Sequence, residues 1–364
     1  MNSIVVELRE KSAATKIKVE SASQIKVGLD VHAAQITVCV QLDGQLLRPA
    51  HKWAWSRVVD WVQAHVRAGV AVYTCYEAGP CGYGLHRQLT ALGATNYVVA
   101  PQRWDERGQR VKTDKRDARE LCDRLDRYVR GNAHAFSLVR VPTPEQEQRR
   151  AWCRHRGRVM QERNRCVLRG HGLMLGQGVH APAGWWQPAA WRGFGDTLPA
   201  WLRAQVGYWQ ASAVRLEAEV DRLDVQVAAQ VRGRSIPVGL GARTLAMLEA
   251  EIIDWSRFGN RRQVGSYAGL CPSENSSDQR RCQGAITKHG NPRVRHLLTE
   301  AVWRFVSFQP DYPPMRKLRA ATNRRARKRA AVAAARRLLI DLWRLYRGQC
   351  TAPQLGLRLV PPPG

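Results

Sequence analysis

The sequence predicts a mixed α/β domain followed by mainly helical regions. Three observations predict it. Apolar residues alternate with period two after Gln24, short apolar runs then interleave with helical spacings up to Val129, and long Arg-rich helical stretches follow a Val141-Pro142-Thr143-Pro144 break. Ile25, Val27 and Leu29 alternate, as do Ile36, Val38 and Val40, and Asp43-Gly44 supplies a turn before Leu46-Leu47. This pattern predicts an antiparallel meander of three strands. Trp55, Val58, Val59, Val62 and Val66 have helical spacing. Residues 70–76 read as a strand buried on both faces, 83–92 as a helix and 97–100 as a strand. The order βββαβα(β) is that of an RNase H-like domain, a mixed sheet covered by helices. A further helix over 115–129 carries Ala118, Leu121, Leu125 and Tyr128 on one face.

Beyond the break, 145–174 and 199–231 read as two long helices joined by a loop rich in Gly, Pro and Trp, which predicts an antiparallel helical hairpin or coiled coil. The last region opens on Val238-Gly239-Leu240-Gly241, a helix-hairpin-helix-like turn into a helix over 243–253. Residues 258–295 read as loop, 294–308 as helix, and 315–347 as one very basic helix. The expected organisation is a loose leader (1–23), the α/β domain (24–140), the hairpin (141–232), a mainly α C-terminal domain (233–350) and a tail (351–364).

Charge narrows the function. Lys and Arg number 58 against 30 Asp and Glu in 364 residues, a formal net charge of +28. Self-repulsion on that scale calls for a polyanionic partner, nucleic acid first and an anionic membrane surface second. No run of 18 apolar residues predicts a membrane span, and the first twenty residues lack the pattern of a secretory signal. The nine cysteines contain no C-x-x-C pair, which argues against a disulfide framework or zinc ribbon and fits a reducing cytosol.

Four acids stand out. Asp30 ends the first strand and Glu77 ends the strand expected beside it; Asp114 and Asp117 are three apart at a helix start and share a face. Each alone also suits a turn, cap or solvated helix face. Together, in so basic a chain, they suit Mg²⁺, with Mn²⁺ as an alternative, and the two-ion chemistry of phosphoryl transfer. Lys112, Lys115 and Arg116 accompany them. In the last region, Gly239 and Gly241 bring backbone N–H groups to a helix start, where phosphate binds well. A loop follows with Ser273, Ser276 and Ser277, then Arg280, Arg281, Lys288, Asn291, Arg293 and Arg295. Such cations can activate a serine hydroxyl and hold the phosphate under attack, although paired serines also form turns. Between 316 and 347 twelve Lys or Arg residues, among them Arg324, Arg325, Arg327, Lys328 and Arg329, face one acid, Asp341. Arg-rich helices suit recognition of A-form RNA by shape and phosphate, and the tryptophans of the middle region suit either base stacking or packing.

The strings GLDVHAAQITV, YEAGPCGYGLHRQL, KTDKRDARELCDRL, IPVGLGARTLAMLEAEI, SYAGLCPSENSS and GAITKHGNPRVRHLLTEA occur in this order. By them the chain resembles the IS one-ten family of insertion-sequence transposases. The resemblance implies a RuvC-like domain whose acidic tetrad corresponds to Asp30, Glu77, Asp114 and Asp117. It implies a second domain whose nucleophilic serine corresponds to Ser277, with Ser276 as alternate; Asp278 stands where the family has Gly. It further implies action on double-stranded DNA through a covalent serine–DNA bond, guidance by a structured bridge RNA, and homodimers that pair into a tetramer. Two other readings stay open: a RuvC-like Mg²⁺-dependent nuclease or junction resolvase without serine chemistry, and a non-catalytic RNA- or DNA-binding relative.

Overall fold

A computed structural model describes residues 22–46, 49–101, 113–274 and 283–360. The chain divides between Val141 and Pro142 into two compact units. In the first, β1 (Gln24–Val31), β2 (Ile36–Leu42), β3 (Gln45–Leu46), β4 (His51–Trp53), α1 (Trp55–Arg67), β5 (Ala71–Glu77), α2 (Gly84–Ala91), β6 (Thr95–Val99) and α3 (Asp114–Val129) follow in order. The sheet runs β3-β2-β1-β5-β6, with β4 also on β2. β1 is antiparallel to β2 and parallel to β5, and β5 is parallel to β6. The meander is as expected, but its third strand has two residues and β4 was not foreseen; pieces that short show no readable period.

Alternation in β1 sorts its side chains to two faces. Ile25, Val27 and Leu29 are buried with Val58 and Val62 of α1 and Leu85 and Leu89 of α2. On the other face lie Lys26, Gly28 and Asp30, and there α3 packs. A Cβ on Gly28 would sit 2.2 Å from the Ala118 carbonyl oxygen and 2.5 Å from the Cys122 nitrogen, so the α3 backbone rests on the strand itself. Lys26, 3% exposed, reaches Asp126 of α3 at 2.7 Å. The Cys75 thiol donates to the Leu121 carbonyl at 3.4 Å. Small residues on both partners thus let a helix with mostly charged flanks dock closely.

In the second unit Thr143 forms a capping box with Gln146, and Pro144 occupies the first turn of α4 (Pro144–Leu175). A short α5 (Pro188–Phe194) precedes α6 (Ala200–Ala229). Arg156 meets Asp224 at 2.7 Å and Arg163 meets Glu217 at 3.0 Å, a falling register that makes α4 and α6 antiparallel. Trp185 is buried against Gly170, where a Cβ would lie 2.4 Å from its ring, so this tryptophan packs the hairpin. Trp201 is exposed.

Then follow β7 (Ile236–Pro237), α7 (Ala242–Ile252), α8 (Arg261–Tyr267), β8 (Pro272–Glu274), β9 (Gln283–Ile286), α9 (Pro292–Phe308), α10 (Pro313–Arg319), α11 (Arg324–Tyr346), α12 (Ala352–Leu355) and β10 (Leu359–Val360). Three expectations need correction. The single basic helix over 315–347 is two: α10 ends at Arg319, and the Asn323 side chain accepts from Ala326 N at 2.8 Å to start α11. Only its first turns are a basic surface, because Leu338, Leu339 and Leu342 lie in the core. The expected tail is also part of the core: Leu355 and Leu357 are buried, and β10 pairs antiparallel with β7. The segment expected as loop between 258 and 295 contains α8 and the β8–β9 hairpin. No described helix is long and apolar enough to cross a membrane.

Gly28→Ala forces α3 away from β1. Overpacking of this kind costs about 1–3 kcal/mol, and urea unfolding should show the midpoint falling with an unchanged slope.

Candidate active site

Lateral register builds the first site. Asp30 pairs with Thr37 across β1–β2, and Thr37 pairs with Lys52 across β2–β4. Leu29 pairs with Tyr76, which puts Glu77 at the next position beside Asp30. The close seating of α3 then delivers its first residue, Asp114, to this row. Asp30 Oδ2 is 3.0 Å from His32 Nε2, and Asp114 Oδ1 is 3.8 Å from the same nitrogen. Lys52 Nζ donates to Asp114 Oδ2 at 3.0 Å. One ligand atom each from Asp30, His32 and Asp114 lie within 4.8 Å of one another. The hydrogen bond from Lys52, opposed by slight burial, holds the Asp114 carboxyl below its ordinary value.

A cleft of about 520 Å³ opens here, lined by Asp30, His32, Trp55, Glu77, Pro80 and Cys81 among others. Glu77 shares the cleft with Asp30. Asp117 sits half-buried one turn along α3 from Asp114 and is not in the three-residue cluster. Sequence reasoning missed His32 and Lys52. The Asp-x-His spacing at a strand end was the available signal for His32; Lys52 had none, because β4 was not legible.

In the second unit the expected serine segment falls, in sequence, between β8 and β9. Ser276, Ser277, Asp278, Arg280 and Arg281 lie outside the described residues, as does Lys112 of the first unit. The hairpin stem is antiparallel, with Pro272 opposite Ile286 and Glu274 opposite Gln283. Ser273 Oγ donates to the Ala285 carbonyl at 3.0 Å. Glu251 of α7 is 3% exposed. Arg154 grips it with Nε at 2.9 Å and Nη2 at 3.0 Å, and Asn291 Nδ2 donates to it at 2.9 Å. Burial works to raise the Glu251 carboxyl, but hydrogen bonds from Arg154 and Asn291 outweigh it and hold the group low. Asn291 Oδ1 also accepts from Arg293 N and Val294 N, capping α9. Gly290 has φ 157°, and a Cβ there would meet Gly269 N at 2.5 Å.

The Transposase IS116/IS110/IS902 family model matches residues 234–318, from β7 to α10. The Sinorhizobium fredii protein y4rJ, named as a transposase, is 35% identical over 304 residues, which cover 74% of this chain and 75% of the relative. The chain belongs to this transposase family. A second Sinorhizobium fredii relative named as a transposase, y4qE, is 32% identical over 79% of this chain and 72% of its own length. The transposase for insertion sequence element IS1111A of Coxiella burnetii is 25% identical over 76% of this chain and 79% of its own.

For a transposase, which binds and processes DNA, the placement of the basic residues matters. Lys115 and Arg116 are exposed on α3, and Arg324, Arg325, Arg327, Lys328 and Arg329 are exposed on the first turns of α11. Arg327 lies over the half-exposed Trp303 ring at 5.5 Å, and Arg304 over Phe308 at 5.9 Å. Lys288 is exposed with φ 56°, and Arg293 is exposed. Arg295 and Asn291, in contrast, are engaged internally: Arg295 Nη1 donates to the Ala268 carbonyl at 2.8 Å. Gly239 and Gly241 both have positive φ. Gly239 turns toward Phe308, and a Cβ there would meet the Phe308 Cβ at 2.8 Å.

Lys52→Met should raise the Asp114 carboxyl toward its ordinary value of 3.8, read by carboxyl-carbon NMR titration. Glu251 contributes stability that is complete above its ordinary value of 4.5 and is lost as pH falls through its lower folded value. Glu251→Gln should remove that acid-dependent loss from urea-unfolding curves taken below pH 4.5, and Glu251→Ala should cost about 3 kcal/mol at neutral pH.

Proposed function

We propose that this transposase cuts and rejoins DNA by phosphoryl transfer, with a divalent cation in the Asp30–Asp114 cleft and Ser277 as the nucleophile. The placement of Asp30 carries this reading: it shares a cleft with Glu77 and clusters with His32 and Asp114. The donors are mainly hard carboxylate oxygens open to solvent, a set that fits Mg²⁺ or Mn²⁺. Asp30, Glu77, Asp114 and Asp117 would hold it. When bound, such an ion supplies positive charge to the attacking and leaving oxygens. The sheet, three antiparallel strands continued by two parallel ones, supports an RNase H-like, RuvC-like domain.

Lys52 donates to Asp114 Oδ2 and holds that carboxylate in place. In sequence Ser277 falls between β8 and β9, and beyond β9 Asn291 is held by Glu251. In the serine step, Ser277 Oγ loses its proton and bonds to phosphorus. The bond from phosphorus to the deoxyribose oxygen breaks, and that oxygen takes up a proton; the strand end stays joined to the protein until a second strand displaces it. The exposed cations of α11, together with Trp303 and Phe308, support a nucleic-acid-facing surface. Guidance by a structured RNA, and homodimers paired into a tetramer, follow from the motif resemblance and belong to the same proposal.

DNA carrying the element's ends, incubated with guide RNA and Mg²⁺, should give a covalent adduct that survives denaturing electrophoresis. Ser277→Ala should abolish it, and Asp30→Asn or Asp114→Asn should slow its formation by about a hundredfold or more. Free 5′-phosphate ends without adduct would instead mark a hydrolytic nuclease, and tight binding without cutting a non-catalytic relative.

A further inference from the structure

We propose that His32 is a ligand of the same cation as Asp30 and Asp114, making a mixed nitrogen–oxygen site that favours Mn²⁺ over Mg²⁺. The inference rests on the cleft being the cation site proposed above and adds the identity of its preferred ion.

Geometry supports it first. An octahedral ion with ligands at about 2.1 Å sets neighbouring ligand atoms about 3 Å apart. His32 Nε2 lies 3.0 Å from Asp30 Oδ2, at that spacing, and 3.8 Å from Asp114 Oδ1, between it and the ~4.2 Å of ligands on opposite sides of such an ion. Lys52 occupies the other oxygen of Asp114 at 3.0 Å, which leaves Oδ1 for the shared site. The position of His32 is also built. Its backbone N–H donates to the Gln35 carbonyl at 3.0 Å, and its own carbonyl accepts from Trp55 Nε1 at 3.0 Å. The ring itself is about half exposed, with 51% of the side chain reachable by solvent, so core packing does not account for where it points.

Chemistry supplies the selectivity. Imidazole nitrogen suits first-row transition ions, whereas Mg²⁺ prefers oxygen and retains its waters. Removing His32 should therefore weaken Mn²⁺ and leave Mg²⁺, which would substitute a water, nearly unchanged.

The test uses the full chain with MnCl₂, followed by electron paramagnetic resonance and competed with MgCl₂. In the wild type, bound Mn²⁺ should show electron spin-echo modulation from an imidazole ¹⁴N. His32→Ala should lose that modulation and bind Mn²⁺ about tenfold or more weakly, with Mg²⁺ affinity changed less than about twofold. Absence of nitrogen modulation from bound Mn²⁺, or equal weakening of both ions, overturns the assignment. Asp30→Asn separates the two readings. If it abolishes Mn²⁺ binding while His32→Ala does nothing, the cation site stands and His32 is only a hydrogen-bond partner of Asp30. If neither variant alters Mn²⁺ binding, the cleft is not the cation site and both readings fall.

Discussion

At Gly28 two backbones touch with no side chain between them. That contact sets the distance from α3 to the sheet, and the distance decides whether Asp114 can reach the row containing Asp30. A β-carbon at this point would push the helix outward along its whole length, because Ala118 and Cys122 meet the strand at the same level. The Lys26–Asp126 pair, nearly dry on the Lys side, fixes the rotation of the helix two turns further on. A buried pair of this kind adds little net stability but penalises any arrangement that separates it. Close backbone contact and buried charge thus do different things: one sets separation, the other sets register.

The second unit uses a similar device around Glu251. One buried carboxylate collects Arg154 from the hairpin and Asn291 from the start of α9, while Tyr267 of α8 donates to the Glu251 carbonyl at 2.5 Å. Four elements, α4, α7, α8 and the start of α9, are therefore tied at one residue. Asn291, expected from the sequence as a contact to nucleic acid, gives its side-chain amide to this node, and Arg295 donates to the Ala268 and Lys288 carbonyls.

Much of the fold was legible because strong periodicity accompanied it. Ile25, Val27 and Leu29 declare a strand, and Val58 and Val62 declare a helix face, without further context. The illegible parts are short or polar. β4 has three residues and α8 has seven, and Arg261-Arg262-Gln263 offers no apolar stripe to distinguish a helix start from a loop. The acids of the site were legible because carboxylates are conspicuous in a chain with a net charge of +28. Lys52 was not, since one lysine among so many cations carries no signal until strand pairing places it. The basic stretch over 315–347 misled for a related reason: its charges hid the Leu338-Leu339 and Leu342 stripe that buries the second half of α11.

The pairing of β10 with β7 joins positions near 236 to positions near 360. During synthesis the second unit consequently lacks its closing strand until almost all of it has left the ribosome. The first unit ends at Val141 and has no such delay. A nascent polypeptide would thus expose a finished acidic cleft while its serine-bearing half is still an open, strongly cationic chain, a stage at which nearby polyanions compete with self-assembly for the same arginines.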